Sequence, residues 1–533
     1  MHCKIALISV ITISLTISST SGNRVVIIGG KLFGERNAST QTAWEGTKAP
    51  KNAAIEHLLQ PVDHQNPTKF PLWSQRYFTN FTKYSESGPI LIFIGGEAEA
   101  DPRFLAYGEM AENAVALKAA ATFTLEHRFY GQSWPLNDST VTSLQYLTMP
   151  QALDDLANFV THIKTKYDLE ESKVVVYGGS YAGSLAAYFL QFYPQLASAG
   201  VASSAPIWFH FDFKEYLELA AASIKVTNPK CLDILGSGVR ALNRIIQQSS
   251  YQCGFVPLSG GGNPANPCNV ELGTFPLCSP LDAHKTGDIY QLNSYITQFF
   301  IYIAQYNSTL PETFNLDALC NATLSYKEIE GLSDFEVLAK IMTSATHGLY
   351  NSPCVDQQVE NFCAFMSQTG AEDEASKYGA RQWMWQVCSD FATFASSSGL
   401  RHPFGQYVPA SHYVAQCECV FGSLFTEAFI RLRVDQHTAK FGSYSTLRRH
   451  VVYLNGNTDP VAGLGYSKRA QFQASWPNDN NDLFIVERGS HCDDLYAYDS
   501  TQDSASLQQA RNGTLQILKR WLNMAKLKLL LYY

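Results

Sequence analysis

Short apolar runs alternate with amphipathic stretches in the first and last parts of the chain. Continuous apolar runs of four or five residues, several ending in glycine, are typical of buried parallel strands. They predict strands at residues 90–94, 121–125, 173–177, 199–203, 451–454 and 483–486. Apolar residues spaced three and four apart predict helices at 149–166, 182–192 and 507–527. This alternation predicts an α/β fold built on a parallel sheet.

The alternation stops near Phe213, and the next two hundred residues contain mainly helix-like segments and most of the cysteines. We therefore predict a core in two parts, residues 51–213 and 431–533, with a mostly helical cap inserted at 214–430. Residues 22–50 are expected to form a loosely held arm. Residues 1–21 have the weakly basic start, apolar run and small residues of a secretory signal peptide.

Composition narrows the class of protein. The 533 residues are 46% hydrophobic and only 16% charged, which excludes intrinsic disorder. The net charge is −8 and no basic run stands out, so a nucleic-acid partner is not expected. No later apolar run is long enough to cross a membrane. The sequence leaves a homodimer open.

Secretory entry gives meaning to two further patterns. Glycosylation sequons begin at Asn37, Asn80, Asn137, Asn307, Asn321 and Asn512. Eleven cysteines remain after removal of the signal, eight of them between Cys231 and Cys388, so disulfides are expected to concentrate there. An odd number requires a free thiol or an intermolecular bond. The Cys417–Cys419 spacing is too tight for zinc, and no metal or cofactor is expected.

The candidate nucleophile is Ser180. It lies in the sequence GGSYAG at 178–183, directly between a predicted strand and a predicted helix. This is the setting of a nucleophile elbow, a sharp turn that exposes a serine hydroxyl and requires small neighbours such as Gly178 and Ala182.

A catalytic serine needs a histidine base and a carboxylate that orients it. Asp459 follows the predicted strand at 451–454, and His491 follows the strand at 483–486. Carboxyl ends of parallel strands meet at one edge of a sheet, so the three residues are predicted to form a triad in the order Ser, Asp, His. The backbone amides of Gly96 and Tyr181 are the predicted oxyanion hole.

These residues carry a family resemblance. GGSYAG at 178–183, NGNTDP at 455–460, GSHCDDL at 489–495 and EHRFYG at 126–131 resemble the lysosomal Pro-Xaa carboxypeptidase family of serine peptidases, and within it the thymus-specific serine protease branch. The resemblance covers residues 55 to 525. It implies an α/β-hydrolase core with a helical cap inserted after the elbow, and the same triad.

Two positions depart from the family pattern. Members usually have tryptophan two residues after the catalytic acid, where it lines a proline pocket, and this chain has Val461. The arginine that follows the catalytic histidine in prolylcarboxypeptidase-like members is replaced, because Leu495 and Tyr496 follow Asp494. Glu97, Val461 and Gln386 are the candidate substrate-pocket residues.

The predicted function is a secreted or lysosomal serine exopeptidase acting on short peptides, with a preference for cleavage after proline as an open question. A carboxypeptidase needs a positively charged side chain to bind the carboxyl terminus of its substrate, whereas a dipeptidyl peptidase needs a negatively charged one to bind the amino terminus. Glu97, Asp390 and Arg381 are the candidates for this role. The alternatives are an esterase or lipase on the same fold, and a non-catalytic secreted binding protein.

Overall fold

The structure is a computed structural model. It describes residues 25–28, 31–34, 50, 53–81, 88–253, 269–270, 272–273, 275–444, 446, 448–466, 482–497 and 503–530. The predicted signal peptide at 1–21 and the sequon at Asn37 lie outside these residues.

An eight-stranded sheet forms the centre of the core. The strands of this sheet are β3 Ala54–Gln60, β4 Trp73–Asn80, β5 Ile90–Ile94, β6 Ala121–Leu125, β7 Val174–Gly179, β8 Ala199–Ser203, β11 Val451–Gly456 and β12 Asp482–Val486. Four short strands form two separate pairs, β1 Val25–Ile28 with β2 Lys31–Gly34 and β9 Asn269–Val270 with β10 Leu281–Asp282. The strand order is β12-β11-β8-β7-β5-β6-β4-β3, parallel from β12 to β6 and antiparallel across β6-β4-β3.

Helices cover both faces of the sheet. The core helices are α1 Glu109–Ala116, α2 Val141–Leu144, α3 Met149–Lys166, α4 Tyr181–Phe192 and, after the cap, α15 Ala505–Leu530. Successive residues of a strand point to opposite faces, so Val176 joins the cluster beneath α3 and α4 while Tyr177 joins the cluster beneath α1 and α15. Both faces are buried, which explains why the strands read as continuous apolar runs.

The cap lies between β8 and β11. It contains α5 Glu215–Thr227, α6 Pro229–Cys253, α7 Thr286–Gln305, α8 Leu316–Leu324, α9 Asp334–Ser344, α10 Val359–Met366, α11 Glu374–Lys377, α12 Ala380–Ser389, α13 Ala410–Phe421 and α14 Glu427–Phe441. Disulfides join Cys231 to Cys320, Cys278 to Cys354, Cys363 to Cys419 and Cys388 to Cys417. The concentration of disulfides in the cap is thereby confirmed, and the fold is an α/β-hydrolase core with a disulfide-containing helical cap.

The predicted core strands are present, with small shifts at their ends. β7 and β11 each extend two residues further than the apolar run, through small or polar residues that the turn chemistry had suggested were loop. The antiparallel pair β3-β4 was not predicted, because its apolar residues alternate with polar ones in a stretch dominated by turn formers. Two strands, β1 and β2, pair within the segment that was expected to be a loose arm.

The sequons differ in their surroundings. Asn137, Asn321 and Asn512 are exposed and Asn307 is half-buried. Asn80 is 4% exposed and its Nδ2 donates to the carbonyl of Leu105, a position that leaves no room for a glycan. Among the described residues, no helix is long and apolar enough to span a membrane.

Candidate active site

Ser180 lies at the sharp turn between β7 and α4. Its φ is +57°, in the left-handed region that a residue with a side chain rarely adopts. The turn is tight: a Cβ on Gly178 would lie 2.1 Å from the carbonyl oxygen of Ala182. The Ser180 N–H donates to the carbonyl of Ser203 at the end of β8, at 2.7 Å, and this bond helps hold the strained turn.

Asp459 and His491 meet at the same edge of the sheet. His491 Nδ1 lies 2.7 Å from Asp459 Oδ2, and both side chains are fully buried. The second oxygen, Asp459 Oδ1, accepts from the amide of Val461, which fixes the carboxylate at the start of a single 3₁₀ turn. The predicted acid and base are therefore in direct contact.

The end of β8 joins the serine turn to the histidine loop. The Ser203 carbonyl that accepts from Ser180 also lies 3.8 Å from Cys492 Sγ, and Ser204 Oγ accepts from the Cys492 N–H at 3.0 Å. Ser204 and Cys492, like Ser180, have positive φ angles. The Ser180 hydroxyl is buried and has no hydrogen-bond partner among the described residues. Catalytic hydrogen bonds often tighten only when substrate binds.

The electrostatics of this pair favour a charged histidine. Burial alone would lower the pKa of His491, but the neighbouring carboxylate of Asp459 raises it well above its usual range. Asp459 can thus stabilise the imidazolium that forms when His491 takes a proton.

The cap contributes contacts that the sequence did not reveal. The carbonyl of Gln305, the last residue of α7, accepts from the His491 N–H at 2.8 Å, and the ring of Tyr306 packs edge-on against the imidazole. Ser308 is hydrogen-bonded to Ser490 and donates to Asp493. The histidine loop is therefore held by the cap as well as by the sheet. Residues of this kind have no motif, since hydroxyls and carbonyls at the end of a helix occur throughout proteins.

The predicted oxyanion donors flank the serine. Gly96 follows β5, and a Cβ placed on it would lie 3.6 Å from the Ala182 side chain in the first turn of α4. Tyr181 begins α4, whose N-terminus carries partial positive charge. The hydrogen bonds of the described residues leave both backbone amides without a protein acceptor. The neighbouring Gly95 amide, in contrast, donates to the carbonyl of Leu125.

Two of the candidate pocket residues lie around the Tyr181 side chain. Gln386 of α12 accepts from the Tyr130 hydroxyl at 2.6 Å, and its side chain also lies close enough to Tyr181 to oppose the rise in the pKa of that phenol. Glu97 is buried close enough to Tyr130 and Tyr181 to raise the pKa of both phenols further, in addition to the effect of burial. Val461 is fully buried behind Asp459 and acts there through its backbone amide.

The other two candidate charges are held by the scaffold. Arg381 Nε donates to the carbonyl of Ser139 and its Nη1 to that of Met366. Asp390 Oδ2 accepts from the Met149 amide at the start of α3. Both side chains therefore stabilise the fold through these hydrogen bonds. Within the described part of the chain, no cluster of His, Cys, Asp or Glu could hold a metal ion.

Comparisons with known proteins identify the family. The family model described as serine carboxypeptidase S28 matches residues 60–514. Human thymus-specific serine protease is 27% identical over 484 residues, which cover 90% of this chain and 88% of that protein. Human lysosomal Pro-X carboxypeptidase is 26% identical over 488 residues, with 89% of each chain covered.

Likeness to solved structures is weaker. A proline iminopeptidase of Mycobacterium smegmatis gives a TM-score of 0.32 at 11% identity, covering 88% of this chain and all of that chain. The assignment therefore rests on the family match. This match begins at the last residue of β3, ends within α15 and includes the other seven strands of the large sheet in full. The chain belongs to the serine carboxypeptidase S28 family of serine peptidases.

Proposed function

We propose that this protein is a serine exopeptidase in which Ser180, Asp459 and His491 form the catalytic triad. The observation that carries the proposal is the buried 2.7 Å contact between His491 and Asp459, on a loop tied through Ser203 to the amide of Ser180. His491 and Asp459 are far apart in sequence but in contact, and Ser180 follows a third strand, β7, of the same sheet. Family membership supplies the peptide substrate class.

The reaction follows from this arrangement. His491 accepts the hydroxyl proton as Ser180 attacks the substrate carbonyl, and Asp459 stabilises the resulting imidazolium. The amides of Gly96 and Tyr181 hold the oxyanion. His491 then gives the proton to the leaving amine, and a water molecule hydrolyses the acyl-enzyme with the same histidine as base. No cofactor or metal takes part in these steps.

The surroundings of the serine suit short peptides or chain ends. Ser180 is 1% exposed, and the cap helices contact both the histidine loop and the tyrosine that follows the serine. An enclosed nucleophile excludes the middle of a folded substrate. Glu97, which is buried near Tyr130 and Tyr181, is the candidate that we favour for reading a charged substrate end.

Proline preference is the finest part of the proposal. The relatives include proteins named lysosomal Pro-X carboxypeptidase, which supports both that preference and a lysosomal or secreted location. Val461 provides a smaller apolar side chain than the family tryptophan, so we expect a broader choice of residue beside the cleaved bond.

A peptide library tests the proposal. The purified mature protein is incubated with a mixed library at acidic and neutral pH, and the products are identified by mass spectrometry, with Ser180→Ala as the control. Loss of single residues from carboxyl ends would identify a carboxypeptidase and give Glu97 a structural role. Release of amino-terminal dipeptides would identify a dipeptidyl peptidase and favour Glu97 as the amine reader.

Two other outcomes would overturn the proposal. Equal products from wild type and Ser180→Ala would show that Ser180 is not the nucleophile. Inertness of both toward peptides, with hydrolysis of ester substrates by wild type alone, would favour an esterase on the same triad.

A further inference from the structure

Two carboxyl groups lie close together behind the histidine loop. Glu109 is the first residue of α1, and Asp494 lies in the short turn Asp493–Leu495 that follows His491. Glu109 is 1% exposed and Asp494 is 3% exposed. The backbones approach closely here, because a Cβ on Gly108 would lie 2.2 Å from the carbonyl oxygen of Leu495. Neither acid takes part in the triad.

The hydrogen bonds of the two acids are few. Asp494 Oδ1 accepts from the hydroxyl of Ser203. Asp494 Oδ2 and both oxygens of Glu109 are buried and have no hydrogen-bond partner of normal geometry among the described residues, although the Asn113 side chain on the same helix interacts with Glu109. An ionised carboxylate that is buried without such partners is costly, whereas a protonated one is tolerated.

Charged and titratable groups face the pair from every neighbouring element. The same helix contributes Glu112, β7 contributes Tyr177, the histidine loop contributes Cys492 and Asp493, and α15 contributes Arg511. The guanidinium of Arg511 also donates to the carbonyls of Asp493 and Tyr496 and pairs with Asp503 at 3.2 Å. One shared cation therefore faces two carboxyl groups.

Burial and mutual repulsion favour the protonated forms of the two acids. Burial, and then the charge of Asp494, raise the pKa of Glu109 well above its usual range, and Arg511 only partly opposes this. Burial also raises the pKa of Asp494, to about 6. Because the two acids interact, they titrate as a unit.

The pair is connected to the proposed triad by Ser203. Its hydroxyl donates to Asp494, and its carbonyl accepts from the Ser180 amide. One residue further on, the Ser204 hydroxyl accepts from the amide of Cys492, next to His491. The turn residues Ser180, Ser204 and Cys492 all have positive φ, a strained conformation that persists only where surrounding contacts enforce it.

We propose that Glu109 and Asp494 are positioning residues, a buried pair of interacting carboxyl groups that holds the His491 loop against the end of β8 most firmly when both are neutral. The inference has a positioning half, that the pair orients His491, and a stability half, that the pair makes the stability of the fold depend on pH. Only the positioning half rests on the proposed triad.

The direction of the pH effect follows from linkage. The folded chain binds protons at this pair that the unfolded chain has already lost, so stability falls as pH rises. The contribution of the pair is fully present below the ordinary carboxyl range, near pH 4, and is lost as pH rises through about 6 and above.

Thermal unfolding tests the stability half without requiring activity. In the Ser180→Ala background, Tm is measured between about pH 5 and about pH 7.5 for Glu109→Gln, Asp494→Asn and Glu112→Gln. We expect Tm of the parent to fall by a few degrees over this range and the first two variants to flatten the fall. Glu112 lies on the same helix but is exposed, and it raises the pKa of Glu109 less than Asp494 does, so its variant should stay closer to the parent than the other two. Parallel profiles for all variants would overturn the inference.

Peptidase kinetics test the positioning half. In the active enzyme, Glu109→Gln and Asp494→Asn should lower the ratio of kcat at about pH 5 to kcat at about pH 7.5 roughly threefold or more, with KM unchanged. Flattened Tm profiles with an unchanged ratio would show that the pair stabilises the fold but does not position the triad. If the two variants flatten the fall of Tm but the wild type cleaves no peptide, the stability half holds and the proposed function is wrong.

Discussion

The loop that carries His491 is held on two sides by different chemistry. On the cap side, the Gln305 carbonyl accepts from the His491 amide and Ser308 contacts Ser490. On the sheet side, the acid pair of Glu109 and Asp494 acts through Ser203. The groups that the cap contributes are neutral, a carbonyl and a hydroxyl, although the hydroxyl of Ser308 donates to the Asp493 carboxylate of the loop. The sheet side uses groups that gain and lose protons.

This difference separates two tasks. Hydrogen bonds between hydroxyls, amides and carbonyls keep their strength across the pH range in which enzymes work. A buried carboxyl pair is strong support only while it retains its protons. The cap side should therefore set the geometry of the histidine at every pH, and the sheet side should make that geometry depend on acidity.

Removing the carboxylate that contacts the imidazole gives the largest expected effect. Asp459→Asn should reduce kcat about 10⁴-fold, because the imidazole loses the partner that selects its tautomer. It should also shift the acidic limb of the kcat/KM profile to lower pH, since Asp459 raises the pKa of His491. Steady-state kinetics over a pH series would measure both effects.

Asp482→Asn is the matched control, because Asp482 lies on the neighbouring strand β12 and pairs with Arg520 near the surface. Its activity should equal that of wild type. An acidic limb that stays in place in Asp459→Asn would contradict the assignment of His491 as the base.

A cap-side change should have a smaller effect that does not depend on pH. Ser308→Ala removes the hydroxyl bonds to Ser490 and Asp493 but keeps the bond from the Ser308 backbone N–H to Ser490 Oγ, and it leaves the sequon at Asn307 intact. We expect kcat to fall about tenfold, because a displaced base costs rate without changing substrate binding. The decrease should be equal at acidic and neutral pH.

Ser344→Ala is the control for this change, since Ser344 is exposed at the end of α9. If Ser308→Ala instead altered the ratio of acidic to neutral kcat, the division of labour between the two sides would be wrong.

The smallest expected effect concerns the cation that faces the acid pair. Arg511 lowers the pKa of Glu109 and of Asp494, so Arg511→Gln should raise both further. The pH at the midpoint of the fall in Tm should therefore increase by about half a unit or more. Arg511→Lys keeps the charge and should leave the midpoint near that of wild type, although both variants lose donors to the carbonyls of Asp493 and Tyr496. Equal midpoints in the two variants would contradict a shared counterion.

The elements of the core were predictable to different degrees. Strands β5, β6 and β8 have the predicted bounds, because each is buried on both faces and consists of one apolar run. β3 was missed because it lies at the edge of the sheet, with Ile55 and Leu59 exposed and Gln60 buried. An edge strand is not buried on all sides and does not need to be apolar throughout. The continuous apolar run that identifies central strands is therefore absent there.

The candidate site shows the same contrast. Ser180, Asp459 and His491 could be proposed from sequence because each directly follows a recognisable strand, and the structure brings the last two into contact. Gln305, Ser308 and Glu109 could not, since they come from the cap and from α1 and reach the histidine loop only after the chain has folded. Arg381 and Asp390 drew attention as charges, but their partners are structural.

The sequence alone determined the alternation of strands and helices, the order of the chemical groups along the chain and the position of the elbow. These depend on local periodicity and on turn residues such as Gly178, which act over a few positions. Tertiary structure decided which carboxyl groups lie next to each other and which remain exposed, and so which retain a proton. Glu109 and Glu112 are three residues apart on one helix, yet only the first faces Asp494 in a buried site, because the packing of α1 against the histidine loop selects one side of the helix.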